Sequence, residues 1–411
     1  MSAINGLELS RRFYSEEVAP RIAQRWPDLA YSAALIGHGS EVLGFDDDTS
    51  PDHHWGPRVM LFLRPDDLDK VSGNISSHLA QTLPYEFLGF PTNFSAPNPE
   101  DPGVQLLSPI NEGPVNHRVE MLDLGSYLGR YLGVEDPSGI DEHDWLTLPE
   151  QKLRSLTSGD VFHDGLPVAA LGGAAAERDA PSGGTPAPAD GRAAAPANGT
   201  PTTPAAAPAG ALTRMRELLA YYPRNVWYYQ IASCWARIGQ EEHLMGRAGS
   251  VGDEVGSAVI GARLVRDVMR LCFLMERTYA PYAKWFGTAF RQLSCGPELY
   301  AVLQAALTAV TWKEREVSLV TAYERIARMH NELGFSDPLP ENAHQFHGRR
   351  FSVIADHGFA EAVLEQIEPE FLTDVTRRSP IGGIDLFSDN TDLLEDSAFR
   401  SVLRALYDRQ A

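Results

Sequence analysis

Residues 37–63 read GHGSEVLGFDDDTSPDHHWGPRVMLFL, and this stretch decides the fold of the first part of the 411-residue chain. Just before it, YSAALIG (residues 31–37) is a short apolar run closed by glycine, which is typical of a buried strand. The stretch ends in Arg58–Leu63, which is apolar enough for a central strand. Two buried strands joined by a polar segment predict a small sheet whose connecting turn carries the chemistry.

The sequence around this stretch alternates helical and strand patterns. Apolar residues recur at helical spacing from Leu7 to Arg25, and Asp69–Leu83 is also predicted to be helical. His117–Leu124 has the pattern of another strand, and Gly125–Gly133 that of a short helix ended by glycine. These elements predict an α/β domain over residues 1–165.

The composition changes abruptly after this domain. Residues 169–211 consist largely of Ala, Pro, Gly, Ser and Thr, and such a segment cannot bury enough apolar surface to offset the entropy of ordering itself. From Leu212 to about Leu333 long helical patterns dominate. We therefore predict an α+β protein with a disordered linker at 166–211 and an all-helical domain at 212–411.

Charge and cysteine content restrict the class of function. The formal net charge is −20, which disfavours binding to long nucleic acids and to anionic membranes. Cys234, Cys272 and Cys295 lie far apart in sequence, which favours a reducing compartment over a disulfide framework. Without an apolar signal core or a membrane-spanning run, we expect a soluble cytoplasmic protein.

The polar segment contains residue types suited to phosphate and metal binding. Gly39 follows the first predicted strand, where a glycine lets the backbone approach a phosphate, and Ser40 supplies a hydroxyl and an amide. Twelve residues later, Asp52 and His54 would share one face of an extended segment. Together these residues could hold Mg²⁺ against a triphosphate. The same Asp-rich segment is also compatible with a solvated turn.

A Gly-Ser pair followed about a dozen residues later by Asp-x-Asp resembles the signature of the polymerase-beta-like nucleotidyltransferase superfamily. The chain is more similar still to an uncharacterised bacterial nucleotidyltransferase-like family, domain of unknown function four-zero-three-seven. The similar segments are residues 37–63, YYPRNVWYYQIASCWARIGQEEHLMGR, GDEVGS and YAPYAKWFGTAF, so they lie in both predicted domains.

This resemblance implies a palm-like mixed sheet with flanking helices that binds ATP or another NTP with Mg²⁺ or Mn²⁺. Such enzymes transfer a nucleoside monophosphate, here AMP, to a hydroxyl or similar acceptor. By position, Gly39 and Ser40 would hold the β- and γ-phosphates and Asp52 would be a catalytic metal ligand. Glu120 would be the further catalytic carboxylate and metal ligand, and Asp123 is its rival on the opposite face of the strand.

The chain departs from the superfamily pattern where His54 replaces the second aspartate as a metal ligand. Imidazole suits Mn²⁺ better than Mg²⁺, and the replacement removes one negative charge. Three interpretations stay open: a Mn²⁺-tolerant enzyme, a one-metal enzyme that borrows Asp46, Asp47 or Asp48, and a degenerate site. A degenerate site would make the protein a non-catalytic nucleotide-binding or interaction protein.

Several residues outside this segment are further candidates. Lys284 and Arg247 are predicted to bind the triphosphate, and Asp253 and Glu254 to contact an acceptor or to cap a helix. The acceptor is expected to be a small molecule or a protein.

Two other patterns suggest different chemistry. Arg325 and His330 resemble the Arg-x4–6-His signature of HEPN-type ribonucleases, although this spacing is common by chance. His344 and His347 could form a zinc pair, but no cysteine or third histidine lies at useful spacing, so we expect both to be core or surface histidines.

Overall fold

The computed structural model of the protein describes residues 4–47, 49–50, 55–97, 104–171 and 210–408. The fold is mixed α+β, with a small sheet near the N-terminus and a larger helical region after it. The strands are β1 (Tyr31–Leu35), β2 (Arg58–Leu63), β3 (Glu86–Phe87), β4 (Phe90–Pro91), β5 (Arg118–Asp123), β6 (Asp160–Asp164), β7 (His344–Gln345) and β8 (Ser352–Val353).

The helices before residue 172 surround the sheet. They are α1 (Gly6–Phe13), α2 (Ala19–Arg25), α3 (Ser40–Leu43), α4 (Pro65–Thr82), α5 (Leu124–Leu132), α6 (Glu142–Trp145) and α7 (Glu150–Thr157). A π-helical turn joins α1 to α2, so the helix predicted over residues 7–25 is confirmed with one irregular turn.

The helices after residue 209 form the second region. They are α8 (Ala211–Leu218), α9 (Arg224–Ser250), α10 (Glu254–Met275), α11 (Phe286–Phe290), α12 (Gly296–Thr308), α13 (Trp312–Leu333), α14 (Phe359–Leu364), α15 (Asp374–Arg378), α16 (Ile384–Phe387), α17 (Thr391–Glu395) and α18 (Arg400–Arg404).

Within the described residues, β1, β2, β5 and β6 form a four-stranded mixed sheet in the order β5-β2-β1-β6. β1 pairs antiparallel with both β2 and β6, whereas β2 and β5 are parallel. A parallel pair needs a crossover, and α4 provides it between β2 and β5. The predicted strands β1, β2 and β5 are confirmed. β6 was not predicted, because its sequence DVFHD contains few apolar residues.

The sheet is covered on both faces because its central strands are apolar on both. Val59 and Leu61 of β2 pack with Phe13, Ile75 and Leu79 from the N-terminal helices and α4. Met60 and Phe62 point to the other face and join a large cluster that includes α5 and the helical region. The sheet and the helical region therefore share one hydrophobic core.

The helical region is built around α9, α10 and α13. Trp235 of α9 is fully buried and stacks on Phe359 of α14 with ring centroids 4.3 Å apart. The helical pattern predicted over residues 300–333 is interrupted at 309–311. There Thr311 and Glu314 form a capping box that starts α13.

The predicted linker at 166–211 lies mostly outside the described residues. At its ends the chain is packed: Leu166, Leu171 and Ala211 are buried in the large core cluster. Among the described residues, no helix combines the length and apolar character that crossing a membrane requires.

Candidate functional site

The Gly37–Ser40 turn is held by hydrogen bonds to the end of α7. The Gly37 amide donates to the Ser155 carbonyl at 3.0 Å, and the Gly159 amide donates to the Val42 carbonyl at 2.8 Å. Gly37 has φ +82°, and a Cβ there would lie 2.4 Å from the Tyr127 hydroxyl. The positive φ and the close approach to Tyr127 both require glycine at position 37, so the backbone conformation of the turn is restricted.

The next glycine places Ser40 at the edge of a cavity. Gly39 has φ +136°, and a Cβ there would lie 2.6 Å from the Glu41 carboxylate and 2.9 Å from the Arg58 guanidinium. The Ser40 hydroxyl donates to the Ser50 hydroxyl at 3.0 Å, which links the turn to the end of the Asp-rich segment. The predicted Gly-Ser turn therefore faces open space in a conformation that favours glycine.

This cavity has a volume of about 570 Å³, within the range of ligand pockets. The N-terminal region and the helical region both contribute residues to the lining of this cavity. The lining residues that carry polar or aromatic groups are His38, Ser40, Ser50, Arg58, Tyr131, Gln151, Lys152, Ser155, Tyr282, Lys284, Trp285, Thr391 and Glu395. Three residues predicted from sequence to bind nucleotide, Gly39, Ser40 and Lys284, thus line the same cavity.

Positive charge is concentrated on the cavity wall. Lys152 is 4% exposed and donates to the carbonyls of Tyr131 and Glu395. Burial lowers the pKa of Lys152. The Lys284 ammonium lies 4.9 Å from the centre of the Trp285 ring. The wall is therefore suited to an anionic ligand.

Arg58, the first residue of β2, is fixed by the turn itself. Its guanidinium forms an ion pair with the buried carboxylate of Glu41 and donates to the His38 carbonyl at 3.2 Å. Glu41 is 2% exposed, so the pair is nearly excluded from water. Part of the Arg58 charge is neutralised by this partner, whereas no ion pair of Lys284 is found in the described part of the chain.

The acids of the Asp-rich segment serve as local hydrogen-bond acceptors where they are described. Asp46 accepts from the Gly6 amide at 2.7 Å and from the Trp55 indole at 3.1 Å. Asp47 accepts from the Thr49 amide at 2.9 Å, and this hydrogen bond lowers the pKa of Asp47. The structure gives both residues a role in shaping the turn.

Asp48, Asp52 and His54 lie outside the described residues. The predicted metal ligands Asp52 and His54 therefore stay predictions.

Glu120 lies on β5 beside a second cavity. Its register partner on β2 is Met60, and Arg58 pairs with Arg118, so Glu120 and Arg58 share a sheet face. The Glu120 side chain is 45% exposed and accepts from Arg118 at 2.8 Å. This second cavity of about 370 Å³ also contains His38 and Arg58, which places it next to the first.

The rival carboxylate has a structural role. Asp123 caps α5 by accepting from the Ser126 amide at 2.8 Å. Between the two carboxylates, the geometry favours Glu120 as the group that faces a ligand.

Other predicted site residues lie elsewhere. Arg247 lines a different cavity, together with Trp312 and Lys313. Asp253 caps α10 by accepting from the Gly256 amide at 2.7 Å, and Glu254 lies 3.5 Å from Arg315. The structure brings none of Arg247, Asp253 and Glu254 to the lining of the 570 Å³ cavity.

The ribonuclease-like pair is also separated by its environment. Arg325 forms an ion pair with Glu298 at 2.7 Å on the surface of α13. His330 is 1% exposed, accepts from the Trp235 indole at 3.2 Å and lies between aromatic rings. A buried histidine of this kind offers no surface to RNA.

Several residues of the cavity wall have no signature in the sequence. Lys152 lies on an ordinary amphipathic helix, and Glu395 belongs to a short C-terminal helix that shows no motif. Arg58 carries a partial signal, because a charged residue that opens an apolar strand is expected at the end of the sheet and outside the core.

A family described as "Domain of unknown function (DUF4037)" matches residues 204–286 of the chain. The match contains two of the segments that carry the resemblance in the helical region and the start of the third, and it ends just after Lys284. No curated protein and no solved structure matches the chain. Over these residues the chain is therefore similar to that family.

Proposed function

We propose that the protein is a metal-dependent nucleotidyltransferase that uses ATP or another NTP and moves a nucleoside monophosphate to a small-molecule or protein acceptor. The observation that supports this most strongly is the 570 Å³ cavity, where the Ser40 turn, Lys152 and Lys284 surround one space. A triphosphate needs such a combination of hydroxyl donors and cations.

Lys284 is the residue on which phosphate binding depends most directly. At about 4 Å and an effective dielectric constant of about 20, one pair of opposite charges is worth roughly 4 kcal/mol before desolvation. Arg58 and Lys152 already have carboxylate or carbonyl partners, whereas Lys284 has its charge available above the Trp285 ring. Trp285 and Tyr282 also provide aromatic surface against which a base can pack.

The metal ligands would be Asp52, Glu120 and His54. Glu120 fits this role because its carboxylate is exposed, lines the second cavity and shares a sheet face with Arg58, which lines both cavities. Bound Mg²⁺ or Mn²⁺ would neutralise the phosphate charge that develops during transfer. Glu120 would have to exchange its contact with Arg118 for the cation, and an imidazole at position 54 favours Mn²⁺.

A non-catalytic nucleotide-binding protein is the second candidate. The observation in its favour is that Glu120 is paired with Arg118, so its charge is partly neutralised. In that case the protein binds ATP in the same cavity without releasing pyrophosphate.

Two measurements, ATP binding and label transfer, distinguish these functions. Binding of ATP by calorimetry should weaken at least tenfold in Lys284→Ala and be unchanged in Lys313→Ala. Lys313 is the matched control, since it also lies beside a tryptophan but lines another cavity. Transfer of label from α-labelled ATP with Mn²⁺ should disappear in Glu120→Gln while ATP binding persists.

Equal ATP affinity in Lys284→Ala and wild-type protein would show that the nucleotide does not bind in this cavity. Binding without pyrophosphate release would favour the non-catalytic protein.

A further inference from the structure

Two histidines and an aspartate from separate elements converge in the C-terminal region. His344 belongs to β7, and Asp356 and His357 belong to the 3₁₀ turn Ala355–His357. His344 Nδ1 lies 3.2 Å from His357 Nε2, and His344 Nε2 lies 3.2 Å from Asp356 Oδ2. One ligand atom from each of the three residues lies within 4.8 Å of the other two.

We propose that His344, Asp356 and His357 bind a divalent transition-metal cation, best matched by Zn²⁺. Imidazole nitrogens and a carboxylate oxygen bind Zn²⁺ at about 2.0–2.2 Å, so the ligand atoms of a tetrahedral site lie roughly 3.3–3.6 Å apart. The 3.2 Å between the two imidazoles is close to that spacing. Asp356 lies beside the other nitrogen of His344, Nε2, so its carboxylate must leave that contact to complete the set; its side chain is 37% exposed.

The two facing nitrogens can share either a hydrogen or a cation. Two facing imidazole lone pairs repel, so without a cation one of the two nitrogens must carry hydrogen. A metal ion accepts both lone pairs at once. His357 Nε2 also lies 3.0 Å from the Asn342 carbonyl oxygen, to which it donates when it carries hydrogen, so binding of a cation at Nε2 must release that proton.

The position of the cluster indicates what the cation would do. It joins β7 to the turn that leads into α14, and α14 packs on α9 through Phe359 and Trp235. Holding His344 to His357 closes the segment between them onto the helical core. The cation would therefore act as a clamp that stabilises this segment, and three protein ligands leave a fourth position for water.

The site differs from the histidine pair suggested by the sequence. His347 is exposed and lies against Phe346 with ring centroids 4.5 Å apart, and it is not a member of the cluster. Asp356 and His357 were missed because their proximity to His344 depends on the hairpin of β7 and β8.

The test is Zn²⁺ calorimetry on the full chain, together with the visible absorption of bound Co²⁺. Wild-type protein should bind one Zn²⁺ at this cluster, and His344→Ala and His357→Ala should each weaken that binding at least tenfold and abolish the Co²⁺ spectrum. His347→Ala is the matched control on the same hairpin and should behave as wild type. Zn²⁺ should raise the melting temperature of wild type and His347→Ala but not of the cluster variants.

Circular dichroism of the metal-free variants establishes that they are folded. The proposal is overturned if wild-type protein gives no Zn²⁺ binding. It is equally overturned if folded His344→Ala and His357→Ala bind Zn²⁺ with wild-type affinity, or if the binding is lost in Glu120→Gln instead. Because the two sites share no residue, failure here leaves the nucleotide proposal untouched.

Discussion

Replacing His330 by glutamine should make the folded protein less sensitive to acid. The His330 imidazole is 1% exposed, and burial lowers its pKa to about 4 from an ordinary value of 6.5. Its Nδ1 accepts the hydrogen bond of the Trp235 indole, so protonation of Nδ1 would break this hydrogen bond and place two N–H groups against each other. A glutamine oxygen can accept the same hydrogen bond but carries no charge at any pH.

The direction and the magnitude of the effect of His330 on the free energy of unfolding follow from proton linkage. The folded pKa lies below the unfolded one, so the unfolded chain binds more protons in acid. This contribution to stability is present above about pH 6.5 and is lost as pH falls towards 4. The difference between the folded and unfolded pKa values corresponds to about 3 kcal/mol of stability in total, of which about 2 kcal/mol is lost between pH 7 and pH 4.5.

The assay is urea unfolding of both proteins at pH 7 and pH 4.5, followed by tryptophan fluorescence. All other titrating groups are common to both proteins, so the variant-minus-wild-type difference in unfolding free energy isolates His330. At pH 4.5 the free energy of unfolding of the variant, relative to that of wild type, should be about 2 kcal/mol higher than at pH 7. An unchanged difference would show that the His330 imidazole accepts a proton as readily in the folded protein as in the unfolded chain, against the expectation from its burial.

Further predictions concern packing in the helical region, each measured by urea unfolding at pH 7. Gly261→Ala should destabilise the protein by about 1–3 kcal/mol, because the new Cβ would lie 2.3 Å from the Arg315 side chain. Gly73→Ala on α4 is the control, since nothing lies within 4 Å of its Cβ, and it should stabilise by about 0.5–1 kcal/mol. Ser257→Ala should cost about 1.5–3 kcal/mol, because the Ser257 hydroxyl accepts a hydrogen bond from the buried Arg315 guanidinium at 2.7 Å. Trp235→Ala should cost about 3–5 kcal/mol, since this fully buried ring would leave a cavity; a loss below 1 kcal/mol would contradict the packing described.

The elements with strong periodicity could be predicted from the sequence. β2 was predicted with its observed bounds because six apolar or half-buried residues follow a polar turn without interruption. α4 begins at Pro65, four residues before the predicted start, since proline is favoured in the first helical turn. Strand β6 could not be found, because only two of the five residues in its sequence DVFHD are apolar.

The candidate site could be predicted only in part. Ser40 and Lys284 were identified because a Gly-Ser turn and a lysine among aromatic residues have a local signature. Lys152 and Glu395 have none, since their contact depends on the C-terminal helices returning to α7.

The same limit applies to the buried carboxylates in the interior. The Glu150 amide donates to the Asp385 carboxylate at 2.9 Å, and the Glu150 carboxylate lies 3.8 Å from the Arg270 guanidinium. Burial raises the pKa of Glu150. These residues are distant in sequence and follow no motif, so long-range packing alone brings them together.

Nucleotide binding between the Ser40 turn and Lys284 can be observed in a crystal structure of the protein with a non-hydrolysable ATP analogue and Mn²⁺. We predict triphosphate oxygens within hydrogen-bond distance of the Ser40 hydroxyl and the Lys284 ammonium, with Mn²⁺ between the phosphates and Glu120. An analogue bound in another cavity, or Mn²⁺ coordinated away from Glu120, would contradict the proposed nucleotide and metal site.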